Sequence, residues 1–313
     1  MPATDRPARV ALTGGSGLLG RAIQRAAQTR TDLTLLAPTR AELDLSSRQQ
    51  VADWLAEHRI DTVIHAAARV GGIQANIDDP IGFLADNLRL NDATLMGAHQ
   101  AGIRRLVFIA SSCIYPRDYR QPLREGDLLA APLEPTNQGY ALAKIAGADL
   151  CRAISTQFPD RAYRTLVPCN LFGPDDHFGS QASHLIAAIL TKIVQAERSN
   201  SPEIQIWGSG TARREFLPAD ALAGFILTIL PGLPRLPQMM NTGQGRDHSV
   251  NDYYRMIAHI AGWQGRFSHD LTRPEGMAHK LIDSSLARRH GWQPPIDLRP
   301  ALTLSLAAAR DRL

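Results

Sequence analysis

The chain is short of the features that mark several common classes of protein. It has three cysteines in 313 residues, Cys113, Cys151 and Cys169. They form no CxxC pair and no ligand-like spacing, which argues against a disulfide framework and against a structural zinc site. Its longest apolar run, Ala221 to Leu230, stops at Pro231 and is too short to span a bilayer. Charge of one sign does not accumulate either: the formal net charge is +4 and Lys and Arg are scattered. The pI of 9.2 therefore reflects arginine-rich composition rather than a nucleic-acid footprint, and no nucleic acid and no membrane is expected among the partners. The opening MPATDRPAR is charged with no apolar segment behind it, which predicts no secretory leader and a cytoplasmic protein. Internal repeats and low-complexity segments are also missing.

What is present suits a large core, with 44% hydrophobic residues. Short apolar runs alternate with stretches of helical period: strand Val10–Thr13, helix Leu18–Gln28, strand Leu33–Ala37, helix Arg48–His58, strand Thr62–His65. The rhythm continues with a helix over Ile81–Ala101, a strand over Leu106–Ala110, a helix from Tyr140 to about Phe158 and a strand over Tyr163–Pro168. Continuously apolar strands separated by helices predict an α/β fold, a doubly wound parallel sheet covered on both faces. After Asn170–Pro174 the pattern loosens into a helix near His184–Gln195, a short strand IQIWG, and helices near Ala219–Leu230 and Val250–Ala261. The expected division is a cofactor-binding domain over 1–170 and a smaller, mainly substrate-binding α/β domain over 171–313. The chain is expected to return to the first domain around 211–246. The cleft between the two is the natural ligand site.

Between the first strand and first helix, VALTGGSGLLG places Gly14, Gly17 and Gly20 in a GxxGxxG spacing. Such a turn lets the backbone approach a pyrophosphate and aims the N–H groups of a helix N-terminus at it. A Gly-rich turn by itself is a weak sign; placed between strand and helix at the start of the chain it is a strong one. The second strand runs into LLAPTRAELDL, which offers Arg40 and no acid before Glu42. A guanidinium there suits a 2′-phosphate, so NADP(H) is the expected cofactor, with a solvated surface arginine as the plainer reading of Arg40.

NQGYALAKIAG carries Tyr140 and Lys144 at i and i+4 on one helical face. FIASSCIY puts Ser111 near the carboxyl end of the preceding strand. A phenol flanked by an ammonium and a nicotinamide cation is expected to be lowered from about 10 and to protonate an alkoxide. Ser111 would hydrogen-bond the same oxygen and Lys144 the cofactor ribose. YxxxK recurs by chance in helices; with the glycine turn and the upstream serine, the set resembles the extended short-chain dehydrogenase/reductase superfamily.

The resemblance is closer still. HAAARVGGIQAN (65–76), SSCIYP (111–116), PLEPTNQGYALAKIAG (132–147), VPCNLFGPDDHF (167–178), WGSGTARREFL (207–217) and GMAHKLIDSSLARRHGWQP (276–294) are similar to the GDP-L-fucose synthase family through nearly the whole chain. That resemblance implies a Rossmann fold and NADPH-dependent 3,5-epimerisation and 4-reduction of GDP-4-keto-6-deoxy-D-mannose to GDP-L-fucose. It also implies a GDP-sugar as substrate and a homodimer formed through helices including the one bearing Tyr140. The implied cofactor residues are Gly14, Gly15, Ser16, Gly17, Leu18, Leu19, Gly20, Arg40, Asp44, Leu45, Ala66, Ala67, Ile109, Ala110, Ser111, Tyr140, Lys144, Pro168, Asn170, Leu171 and His184.

The family pairs a cysteine with a histidine to invert carbon centres, matching Cys113 and His184 here, whereas Cys151, Cys169 and His65 are read as structural. A ketone at C4 acidifies the C3 and C5 protons, so donors aimed at its oxygen would serve first an enolate and then an alkoxide. The resemblance further implies substrate contacts from Asn170, Lys192, Trp207, Arg214 and Glu275. Lys192 stands where the family usually has arginine, Glu275 where it has aspartate, and Cys169 where it has threonine. The alternatives are a sibling enzyme on another GDP-4-keto sugar, such as a 6-deoxyheptose or a deoxy sugar epimerised at one carbon, and, from another class, a non-catalytic NADP(H)-sensing regulator.

Overall fold

The computed structural model describes residues 6–179, 184–273 and 276–313. The first five residues, on which part of the leader reading rests, and Glu275 lie outside the described residues. The first half contains β1 (Ala8–Thr13), α1 (Leu18–Ala27), β2 (Leu33–Leu36), α2 (Arg48–Glu57), β3 (Thr62–His65), α3 (Ile73–Asp78), α4 (Pro80–Gln100), β4 (Arg105–Ile109), α5 (Gln138–Gln157) and β5 (Ala162–Pro168). The second half contains β6 (Asn170–Phe172), α6 (Leu185–Ser199), β7 (Glu203–Trp207), β8 (Arg213–Arg214), β9 (Phe216–Pro218), α7 (Ala219–Ile229), β10 (Met239–Thr242), β11 (His248–Ser249), α8 (Val250–Ala261), β12 (Arg266–Asp270), β13 (His279–Lys280), α9 (Ser285–Arg289) and α10 (Arg299–Arg312).

Six parallel strands form the main sheet in the order β10-β5-β4-β3-β1-β2. Every residue of β3 and β5 is buried, as a sheet covered on both faces requires. The expected elements appear within a few residues of their expected ends. Caps set some of those ends: Ser47 accepts from Gln50 N at 3.3 Å before α2, and Asp79 accepts from Gly82 N at 2.9 Å before α4, whose first residue is Pro80.

The second half departs from the loose pattern expected of it. Its strands are two or three residues long in β6, β8, β9, β11 and β13, too short for periodicity to register. Strand β10 leaves that half and pairs with β5 on the edge of the main sheet, while α7 packs on α1. A second core, separate from the one around the sheet, gathers Ile186, Ile189, Leu190 and Ile193 of α6 with Tyr253 and Ile257 of α8 and Leu302 and Leu306 of α10. Each such side chain contributes about 1.5–3 kcal/mol on burial.

Helix α5 is seated closely on the sheet at Gly147, where an added Cβ would lie 2.5 Å from Phe108 Cζ and 3.2 Å from the Asn91 amide nitrogen. Gly147→Ala is expected to lower stability by roughly 1–3 kcal/mol through overpacking, read as an earlier urea midpoint at unchanged slope. An unchanged midpoint would show that the ring gives way freely.

Candidate active site

The carboxyl ends of the parallel strands converge on one cleft. Between β1 and α1, Gly14 adopts φ +78°, and a Cβ there would stand 2.6 Å from Ala67 N. At Gly20 a Cβ would meet Gly14 O at 2.0 Å, so the strand-to-helix turn closes only on hydrogen. Helix α1 begins after Gly17, which supplies no side-chain cap, leaving its leading N–H groups available to an anion. Leu19 and Gly20 face the core, Ser16 is exposed, and Gly15 packs near Ala37. These features fit a dinucleotide pyrophosphate.

Arg40 lies beyond β2, exposed and without an ion-pair partner among the described residues. Asp44 accepts from Ser46 N and Ser46 Oγ, both at 2.8 Å, with Leu45 half-buried beside it. Ala66 and Ala67 follow β3, while Ile109 ends β4 and Ala110 follows it.

Ser111 follows β4 directly, and its Oγ accepts from Cys113 N at 3.4 Å, opening a single 3-10 turn over Ser112–Ile114. That turn buries Cys113 to 6% exposure. Lys144, 2% exposed, donates to Ile109 O at 2.8 Å and lies 4.9 Å from the Phe108 ring centroid and 5.8 Å from that of Tyr140. The last turn of β4 and the start of α5 therefore bring Ser111, Cys113, Tyr140 and Lys144 together.

The protein's own groups do not by themselves lower Tyr140. Burial, with the Cys113 sulfur adding to it, pushes the phenol up rather than down. The Lys144 ammonium is turned to the Ile109 carbonyl and is itself pushed down to about 8 by burial; it does not outweigh the desolvation of the phenol. Burial likewise pushes the Cys113 thiol up, opposed by Lys280, the Ser111 hydroxyl and Lys144.

His184 stands directly before α6 and is exposed. Its desolvating surroundings push the imidazole down, Asp176 pushes it up, and His177 and Lys280 push it down. Lys280 thus acts on both Cys113 and His184. The sequence reading passed over Lys280 and Asp176, although both lie inside quoted stretches; a lysine in a two-residue strand and the second of two adjacent aspartates carry no periodic signal.

Lys280 pairs in register with Arg214 across β13 and β8. The buried Glu215 carboxylate secures that corner by accepting from Gly245 N at 2.6 Å and Ile282 N at 3.2 Å. Burial pushes Glu215 up to about 7 despite those donors. Tyr115 Oη donates to Asn241 Oδ1 at 2.6 Å, and Asn241 Nδ2 donates to Leu123 O and Asp283 O. This joins the Ser111–Leu123 segment to β10 and to the stretch that follows β13.

The remaining residues read as substrate contacts are placed unequally. Arg214 is half-buried beside Lys280. Asn170 donates its amide to Glu215 O at 3.1 Å, holding β6 against β9, between Pro168 at the end of β5 and Leu171. Trp207, 52% exposed, lies farther out on β7 with Lys192 5.3 Å and Arg273 4.9 Å from its ring centroid. Lys192 also donates to Gln205 O at 2.6 Å. An aromatic face flanked by two cations suits a flat base next to phosphate.

The chain belongs to the NAD dependent epimerase/dehydratase family, whose profile matches residues 10–243. It is 40% identical over 295 residues to a GDP-L-colitose synthase of Yersinia pseudotuberculosis, covering 94% of this chain and 96% of that protein. It is 42% identical over 286 residues to a GDP-L-fucose synthase of Azorhizobium caulinodans, covering 91% of each. Among solved structures it is similar to MlghC, a GDP-mannoheptose C4 reductase from Campylobacter jejuni with NADP bound, at TM-score 0.87 and 26% identity, covering 98% and 99% of the two chains.

The 2.0 Å approach at Gly20 makes Gly20→Ala the sharpest probe of the glycine turn. It is expected to weaken dinucleotide binding at least about tenfold, a loss of roughly 1.4 kcal/mol, measured by fluorescence titration, with the circular dichroism spectrum retained. Unchanged affinity would place the pyrophosphate elsewhere.

Proposed function

We propose that the protein is an NADP(H)-dependent epimerase/reductase of GDP-4-keto sugars, and that GDP-4-keto-6-deoxy-D-mannose is its substrate, inverted at C3 and C5 and reduced at C4 to GDP-L-fucose. The observation that carries this reading is the Cys113 thiol lying within electrostatic reach of both Tyr140 and Lys144. A reductase alone has no use for a proton acceptor at the carbonyl site; an enzyme that first removes a proton beside the same carbonyl does. Similarity to proteins named GDP-L-fucose synthase and to a GDP-mannoheptose C4 reductase supports the GDP-sugar class.

In this reading Ser111 and Tyr140 hydrogen-bond the C4 oxygen, which carries the enolate charge once a neighbouring proton leaves. Cys113 removes that proton on one face of the ring, and His184 returns one on the other. Lys280 and Lys144 oppose, without outweighing, the push of burial toward the Cys113 thiol. Tyr140 then protonates the C4 alkoxide, with Lys144 beside it offsetting the charge of the phenolate left behind. The β1–α1 turn and Arg40 would hold NADPH, which would supply the hydride. Trp207, Lys192 and Arg214 offer a stacking face and cations to the GDP.

Ile77, Ile81 and Leu88 of α3 and α4 and Leu142 of α5 are exposed, which supports a homodimer through that face. A cytoplasmic location agrees with there being no helix among the described residues long and apolar enough to cross a membrane.

A second reading is favoured by the 40% identity to a protein named for a different sugar: a sibling reaction on another GDP-4-keto sugar, epimerised at one carbon only. Incubation with GDP-4-keto-6-deoxy-D-mannose and NADPH, followed by NMR of the product sugar, separates the two. GDP-L-fucose is expected; a product inverted at one carbon only, or not at all, overturns the first reading. Binding of NADPH without oxidation by any GDP-4-keto sugar would return the protein to the class of cofactor sensors.

Two variants divide the labour. Cys113→Ala is expected to oxidise NADPH slowly and to release unepimerised sugar, and Tyr140→Phe to lose about 10²–10⁴-fold in reduction. Full epimerisation by the cysteine variant would remove Cys113 from its role. Arg40→Ala is expected to lower the preference for NADPH over NADH about tenfold or more by removing the partner of the 2′-phosphate, read as the ratio of kcat/KM for the two cofactors. An unaltered ratio would make Arg40 an ordinary surface residue.

A further inference from the structure

Strands β8 and β13 set two cations side by side. Lys280 stands in register with Arg214, so their side chains leave the same face of the sheet and the like charges repel. The ladder itself offers little resistance, since two residue pairs join β13 to β8 and two join β11 to β8. Two carboxylates supply what it lacks. On the opposite face, where Arg213 stands in register with His279, Asp247 Oδ2 accepts from Arg213 Nε at 2.7 Å and lies 2.8 Å from His279 Nε2. Arg213 Nη2 also donates to Asp247 O at 2.9 Å. Asp247 directly precedes β11, so this cluster joins all three strands. Within the core Glu215, 1% exposed, follows Arg214 and accepts from a flanking segment on either side, Gly245 N ahead of β11 at 2.6 Å and Ile282 N beyond β13 at 3.2 Å. The fit is close: a Cβ on Gly243 would stand 2.5 Å from Glu215 Oε1. Tyr253 Oη adds a hydrogen bond to Arg214 O at 3.0 Å.

We propose that Glu215 and Asp247 are the positioning residues of the substrate's anion grip: clasping β8, β11 and β13 from within and from outside, they hold Arg214 and Lys280 together at the cleft against their mutual repulsion, ready for the diphosphate of a GDP-sugar. This rests on the GDP-sugar reading above. Both acids act through the strands. Glu215 commits its two oxygens to backbone N–H groups, and Asp247 binds side chains on the face turned away from Arg214 and Lys280. An anion arriving between the two cations relieves their repulsion, and cations already in place bind it without the ordering cost of two mobile side chains.

Glu215→Gln and Asp247→Asn test this, because each keeps the size of the side chain and one accepting oxygen while removing the charge. The probe is GDP, titrated by calorimetry at about pH 8, above the value of about 7 to which burial pushes Glu215; NADPH is titrated in parallel. Acting through space alone, an acid beside an anion site weakens the anion, so neutralising it would tighten GDP binding. Lost positioning has the opposite sign. GDP affinity is therefore expected to fall about fivefold or more in each variant, with NADPH affinity unchanged. Tighter or unchanged GDP binding in either variant overturns the proposal, and so does an equal loss for GDP and NADPH, which marks a general loosening of the fold.

A double-mutant cycle isolates the cation pair. In a Lys280→Met background the like charges no longer face each other, and either substitution should then cost GDP about twofold at most. A loss as large as in the parent protein overturns the proposal. Should Glu215→Gln fail to fold, Asp247→Asn decides by the same measures, since its Arg213 and His279 partners are 46% and 39% exposed and water can replace them. A wild-type protein that binds NADPH but not GDP overturns the GDP-sugar reading itself, and the proposal with it.

Discussion

The buried ammonium of Lys144 is the constraint on which the site depends. It has left water almost completely and is compensated chiefly by the carbonyl of Ile109 at 2.8 Å and the face of Phe108. Taking a cation out of water is costly unless it is hydrogen-bonded. The bond therefore fixes α5 to the end of β4, and Tyr140, Ser111 and Cys113 inherit their positions from it. A polar chain extends the same constraint across the sheet. Asn91 Nδ2 donates to Ala143 O, Asn91 Oδ1 meets His65 Nε2 at 3.2 Å, and His65 Nδ1 meets Thr13 Oγ1 at 2.7 Å, at the mouth of the glycine turn. Burial and Lys144 push His65 down to about 3, so it is a neutral link in that chain.

The other wall of the cleft is built by long-range pairing rather than by one helix. Short strands from three regions of the chain meet at β11-β8-β13, and Glu215 ties their ends through backbone N–H groups. That assembly presents Arg214 and Lys280 to the cleft from positions 66 residues apart in sequence. Cations facing a site for an anionic nucleotide sugar raise its local concentration and neutralise it on arrival. Of the two, Lys280 also opposes the desolvation of Cys113.

Sequence legibility was uneven for physical reasons. Strands β1 to β5 and helices α1, α2, α4 and α5 were readable because a doubly covered sheet demands continuous apolar runs and its helices an apolar stripe. The glycine turn was readable because Gly14 and Gly20 occupy positions where any side chain overlaps backbone. The two- and three-residue strands beyond Asn170 were not, since a pair of residues has no period. Tyr140 shows the limit for chemistry: the i, i+4 spacing placed it beside Lys144, but the direction of its proton affinity followed from burial that the spacing does not encode.

By itself the sequence determined the parallel α/β architecture, the dinucleotide turn and which side chains carry reactive groups, because each depends on local backbone geometry and apolar periodicity. Only the tertiary structure decided which groups meet: Lys280 near enough to act on Cys113 and His184, and the Asn170 amide on the Glu215 backbone carbonyl. Those relations join residues far apart in the chain, and their strength depends on how much water the finished fold removes from between them.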